Sequence, residues 1–216
     1  MATYESFIKL NGSVGDLVFY HLNGKNIVRK KSGFNKDAFH KSASYEKVRQ
    51  NSSEFGHCSK TGKMIRQCLE VYTKESDDPL LYQRFAKLMT EIKDLDTVSG
   101  KGKRTVKHGL ATETGLAMIK NFQFGKIQNL ENAAVISAGL WDYSLVLDKN
   151  MAVDEMIIET LSVDFEEYKS KHYTQIISVD KPMNEYVFQK HFSDEELQFH
   201  FVVLKKDQKI IKMGFV

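Results

Sequence analysis

Met156-Ile157-Ile158-Glu159-Thr160-Leu161-Ser162-Val163 is one of seven short apolar runs that fill the chain after residue 122. The others are Ala133–Ser137, Trp141–Leu147, Thr174–Val179, Glu185–Phe188, Phe199–Leu204 and Ile210–Val216. They are rich in β-branched and aromatic residues and are separated by polar turns. Short runs at this spacing predict an antiparallel β-sandwich. Lys205-Lys206-Asp207-Gln208-Lys209 reads as the hairpin turn between the last two strands. The final run is apolar, so the C-terminus is expected to be tied into a sheet.

Upstream the period changes. Leu81, Phe85, Leu88, Ile92 and Leu95 form one apolar stripe at helical spacing. Asp78 can cap this helix, and Pro79 fits its first turn. Before it, Tyr45, Val48, Ser52, Phe55, Ser59, Gly62, Ile65 or Arg66, Leu69 and Tyr72 recur at steps of three and four. Ser42 is the expected N-cap. Gly56 and Gly62 make a break between them the alternative, while the small seam residues favour close packing on a partner. A polar turn at 73–78 predicts an antiparallel helical hairpin. Residues 96–109 read as a basic, glycine-rich loop, followed by a short helix around 110–120. At the N-terminus, residues 6–31 read as strands. Asn23-Gly24 marks a two-residue hairpin turn before Ile27-Val28, because type I′ turns need positive φ at both central positions. Residues 32–41 have no clear period.

The fold class is therefore α+β, with an N-terminal β-hairpin and helical hairpin before a C-terminal antiparallel β-sandwich. The expected division is 1–120, a basic hairpin and helical region, and 121–216, the sandwich. Charge follows the same division. Residues 1–110 hold 20 Lys+Arg against 12 Asp+Glu, whereas residues 111–216 hold 11 against 16, so a net charge of +3 conceals two unlike halves. The five arginines stand at 29, 49, 66, 84 and 104. No run of apolar residues approaches the ~18 needed for a membrane span. The N-terminus lacks the basic and apolar regions of a secretory signal. Cys58 and Cys68 lie too far apart on a helix to pair, so reduced thiols and a cytoplasmic setting are expected, in solution or in a particle assembled there.

The chemistry-bearing residues do not form a recognisable catalytic set. Gly12–Gly15 and Gly56…Gly62-Lys63-Met64 both miss the phosphate-loop spacing. The histidines at 21, 40, 57, 108, 172, 191 and 200 show no metal-ligand spacing, so no metal and no cofactor is expected. A Cys–His pair assembled from distant segments stays open. The carboxylate runs Asp164-Phe165-Glu166-Glu167 and Asp194-Glu195-Glu196 fit solvated turns better than an acid–base pair or a divalent-ion site. The strongest candidates for binding are Arg29, Lys30 and Lys31, with Lys101, Lys103, Arg104 and Lys107 in the loop. These could meet phosphates, with Tyr20 and Phe34 stacking on bases, or an acidic protein surface, including another copy of the chain.

The pattern Gly12-x-x-Gly15-x-x-x-Phe19-Tyr20, then Asn23-Gly24-Lys25, Val28-Arg29-Lys30-Lys31 and Tyr45-x-x-x-Arg49-x-Asn51-x-x-x-Phe55, resembles a family of uncharacterised bacterial proteins associated with phage- or prophage-like gene clusters. The resemblance rests on Gly12, Gly15, Gly24, Arg29, Arg49 and Phe55 and spans about residues 8–70. The chain lacks the Pro-x-Thr-x-x-Gln run of some relatives. The resemblance implies a structural or assembly component. With the charge pattern, the expected function is a non-enzymatic structural protein acting through a protein partner or self-association. The glycine-rich β-start could serve as an arm that adds to a neighbour's sheet. The alternative is a nucleic-acid-binding accessory protein using the basic N-terminal half. A hydrolase with its active residues on the sandwich loops is the least supported reading.

Overall fold

The computed structural model describes the chain apart from residues 1, 32, 34, 35, 132, 149, 150, 181, 182 and 194–196. Phe34, Pro182 and the Asp194-Glu195-Glu196 run thus lie outside the described residues. Two compact units meet between Arg49 and Gln50.

The first unit is a small antiparallel sheet. Strands β1 (Ala2–Thr3), β2 (Gly12–Val14), β3 (Leu17–Leu22) and β4 (Lys25–Lys30) take the order β1-β4-β3-β2. The β3–β4 turn is the expected one. Leu22 pairs with Lys25, and Asn23 and Gly24 carry φ of 50° and 77°. Helix α1 (Lys36–Lys41) and a 3₁₀ turn at Ala43–Tyr45 follow, the latter capped by the Ser42 side chain. Arg49 donates to the carbonyls of Phe39 and Ser42 at 2.5 and 3.0 Å, tying the end of α1 to the helix that begins at Glu46.

That helix, α2 (Glu46–Cys68), leads into the second unit, which then holds α3 (Glu70–Glu75), α4 (Leu81–Asp94), α5 (Val106–Leu110) and α6 (Glu113–Lys120). The seven runs follow as β5 (Ala134–Ala138), β6 (Asp142–Leu147), β7 (Glu155–Asp164), β8 (Lys169–Ser178), β9 (Glu185–Gln189), β10 (Gln198–Lys206) and β11 (Lys209–Phe215). The sheets are antiparallel, ordered β11-β10-β7-β8 and β5-β6-β9. The final turn is tighter than the Lys205–Lys209 run suggested. Lys206 pairs with Lys209, and Asp207 and Gln208 both take positive φ, at 50° and 64°.

α2 runs unbroken through both glycines. Gly56 faces open space, whereas Gly62 lies under Phe85 and Met89 of α4. Contacts from Glu54 to Lys93, Cys58 to Met89 and Arg66 to Tyr82 show that α2 and α4 run antiparallel. Both cysteines are free thiols. The expected helix to Tyr72 is interrupted at Leu69, and α3 completes it. Asp78 accepts the Leu80 amide, so it organises the start of α4 from just outside the helix.

The two sheets pack face to face around Leu130, Leu145, Met156, Ile158, Phe188, Val202 and Leu204. The four-stranded sheet turns its other face to the helices. Ile157, Leu161, Phe199, Phe201 and Val203 share a core with Ile65, Leu69, Phe85, Ile92 and Phe124. The second unit is thus three layers, helices on sheet on sheet. For this reason the chain does not part near residue 120. Helices and strands on either side of that point bury the same apolar surface, and each fully buried large side chain contributes about 2 kcal/mol. No helix among the described residues is long and apolar enough to cross a membrane.

Two glycines of the helical layer should respond oppositely to alanine. A Cβ at Gly109 would strike the Ile92 carbonyl of α4, while one at Gly56 meets nothing. G109A is expected to lower stability by about 2 kcal/mol or more through overpacking, and G56A to raise it by up to ~1 kcal/mol. Urea unfolding of the two variants checks the signs.

Candidate functional site

The basic loop is held from beneath by two buried carboxylates. Glu54, on α2 and only 3% exposed, accepts from Lys93 Nζ at 2.9 Å, Arg104 Nε and Nη2 at 2.9 and 2.7 Å, and the Gly102 amide at 2.6 Å. The Arg104 guanidinium is the main cause holding the Glu54 carboxyl well below the usual range. Asp94 adds ion pairs to Lys93 at 2.6 Å and Arg104 at 2.9 Å. Asp96 accepts the amides of Val98, Ser99 and Thr105, each at 2.9 Å. Burial opposes its ionisation, but those amides prevail and its carboxyl also lies well below the usual range.

Thr105 then caps α5, and the Val106 amide donates to His57 Nε2 at 3.0 Å. That bond requires Nε2 to be unprotonated, so the ring proton sits on Nδ1, 2.9 Å from the Tyr168 hydroxyl. Burial pushes the His57 pKa down, consistent with a neutral ring. Residues expected to form an open loop therefore become a stapled loop plus the short helix α5. Arg104 is engaged by two carboxylates, whereas the Lys101 and Lys103 side chains are exposed.

Lys107 lies 3.9 Å from Glu166 and lines a groove of about 790 Å³ with His108, Asp164, Phe165, Lys169 and Lys171. Asp164, from the first carboxylate run, accepts the Glu166 and Glu167 amides at 2.9 and 3.0 Å and so closes the β7–β8 turn. The Ser99 hydroxyl and the Asp96 carboxylate both lie 3.2 Å from His108 Nδ1. A nucleophile relay needs one partner on each ring nitrogen, and this arrangement places both on the same one.

In the first unit, Arg29 pairs with Val18 and Lys30 with Leu17, so the two cations point to opposite faces of the sheet. The Lys31 amide donates to the Asp16 carbonyl at 2.6 Å. Arg29 lines a groove of about 540 Å³ with Asn11, Val18, Phe19 and Tyr20. The remaining arginines are built into the fold. Arg66 donates to the Tyr82 carbonyl, and Arg84 reaches Asp78 and the Gln123 carbonyl.

A different surface is prominent in the structure. Along the outer face of the three-stranded sheet, Val135 pairs with Val146, and Ser144 pairs with Val187. These valines are 57%, 40% and 63% exposed. At the β5–β6 turn, Leu140 and Trp141 are 81% and 80% exposed. The sequence placed Trp141 inside an apolar strand. The turn after Gly139 leaves it at the tip instead, and Trp141 is the only tryptophan of the chain. The exposed Ser137–Ser144 pair, its hydroxyls 2.8 Å apart, lies between Val135–Val146 and the tip, and exposed apolar residues gathered on one sheet face and its end mark interaction sites.

Removing the charge at position 54 tests the staple. E54Q leaves the buried Lys93 ammonium with Asp94 alone, and a loss of about 3 kcal/mol in urea unfolding at neutral pH is expected. The folded-state pKa of Glu54 is depressed, so its contribution is present above the ordinary carboxylate value and fades as pH falls toward the lower folded value. The gap between wild type and E54Q should therefore narrow below about pH 4. Compared with known proteins, the chain matches no family model and no curated sequence.

Proposed function

We propose that this chain is a non-enzymatic structural protein of a phage-like assembly, formed in the cytoplasm and acting through protein–protein contacts. The observation that carries the reading is the apolar face Val135, Val146 and Val187, ending in the exposed Leu140–Trp141 tip. An aromatic anchor beside apolar strand residues is what a protein partner buries at the centre of an interface. The N-terminal resemblance to phage-associated proteins points the same way.

Native protein isolated from its source is expected to elute from gel filtration with a second, different protein, well above the 24.8 kDa of one chain. L140S/W141S should release it from that complex while leaving stability within about 0.5 kcal/mol, since both positions are exposed. A native chain that elutes without a heterologous partner overturns the reading.

The alternative, a nucleic-acid-binding accessory protein, is favoured by the Arg29 groove with Phe19 and Tyr20. It predicts binding to single-stranded DNA that weakens at least tenfold between 50 and 200 mM salt and disappears in R29E/K30E/K31E. Fluorescence anisotropy measures both effects, and salt-independent binding removes this reading.

A further inference from the structure

The outer face of the three-stranded sheet carries charge of one sign only. Alternation along β6 and β9 turns Tyr143, Leu145, Tyr186 and Phe188 into the core and sets the residues between them outward. Besides the three valines and uncharged polar side chains, the outward set holds two carboxylates, Asp142 and Glu185, and no cation. Neither carboxylate has an ion-pair partner among the described residues. Lys190, just past β9, follows the inward alternation and lies 5.1 Å from the centre of the Tyr143 ring. The sequence is equally one-sided. Residues 127–148, which supply β5 and β6, contain Glu131, Asp142 and Asp148 and no lysine, arginine or histidine. Glu185 pairs with Val146, and Asp142 stands earlier on the same strand, opposite Gln189. At about 3.3 Å per residue and about 4.8 Å between strands, the two carboxylates lie roughly 14 Å apart. The paired Ser144 and Val187 lie between them.

We infer that the occupant of this face is a partner protein whose contact surface has an apolar centre flanked by two cationic side chains. The inference rests on the apolar-face reading and names the chemistry of its partner. A carboxylate covered by an apolar surface loses its hydration, so a partner that buries the valines must bring a cation to each one. The same charge selects against other occupants. A phosphate backbone, an anionic lipid surface or the same face of a second copy would set negative charge against negative charge. Trp141 and Asp142 adjoin where the face ends, and an indole next to a carboxylate suits a guanidinium, which stacks on the one and pairs with the other. An extended segment covers roughly 14 Å in about four residues, and its side chains alternate. The partner segment is therefore of the form basic-x-apolar-x-basic, with an arginine facing Asp142.

The test uses tagged full-length chain expressed in its source cells. The protein that co-isolates with wild type but not with L140S/W141S is quantified by mass spectrometry. D142K/E185K is expected to lower its recovery at least tenfold without moving the unfolding midpoint of the chain, and D142N/E185Q to lower it less. E166K/E167K makes the same charge change on the exposed β7–β8 turn and should leave recovery unchanged. Equal recovery with D142K/E185K, or an equal loss with E166K/E167K, overturns the inference and leaves the apolar-face reading standing. If wild type holds no protein that L140S/W141S releases, or only further copies of the chain, the apolar-face reading falls and this inference falls with it.

Discussion

The structure depends on one strand being buried on both of its faces. From Ile157 to Val163 every residue of β7 is buried, and successive side chains feed different cores. Ile157 and Leu161 pack with the helices, whereas Met156 and Ile158 pack with the three-stranded sheet. β10 repeats the arrangement with Phe201 and Val203 against Val202 and Leu204. Thr160, Ser162 and Glu159 are the buried polar residues of this stretch, and Glu159, the one carboxylate, is held by the Tyr72 hydroxyl at 2.6 Å and by Thr174. A buried carboxylate must find donors, and here the donors come from one helix and one neighbouring strand. Helices and sheets cannot be treated as separate layers, because one backbone is the wall between them.

The charges divide into those that hold the fold and those that face outward. Arg49, Arg66, Arg84 and Arg104 each close a carbonyl or a carboxylate within the chain. A planar guanidinium with five donors suits that task better than an ammonium. Among the lysines of the same region, Lys93 is buried with Glu54, whereas Lys101 and Lys103 remain outside. The basic character of the first 110 residues is therefore less a gripping surface than it looks when counted, and Arg29 is the arginine placed on an open sheet face.

Much of the fold was legible because it rests on local rules. Asn23-Gly24 gave its turn and the seven apolar runs their strands, while Asp78-Pro79 marked the approach to α4 but falls before its first turn, with Leu80 at the N-cap. The misses have local causes too. β8 begins at Lys169, five residues before its apolar run, because an edge strand can be polar on both faces. α5 was hidden inside a basic loop because its support is remote. Thr105 caps it, but the Val106 amide is taken by His57, 49 residues earlier. The Glu54–Arg104 pair, 50 residues apart, follows no spacing rule at all. For the candidate surfaces, the lysines were legible as charge. The Leu140–Trp141 tip was not, since a strand run and an exposed turn share the same composition.

The pairing order of the two sheets has a consequence for how the chain is made. β6 pairs with β9, and β7 with β10, yet the β7–β8 hairpin lies between β6 and β9 in the chain. Each sheet is thus interrupted by part of the other. During synthesis β6 waits for β9, β7 waits for β10, and the sheet that underlies the helices is finished only when β11 emerges. Neither sheet is a separable module. A chain ending before β10 would hold both outer layers but leave the inner edge of β7 unpaired and both cores without the side chains of β10, so the last two strands complete the central layer.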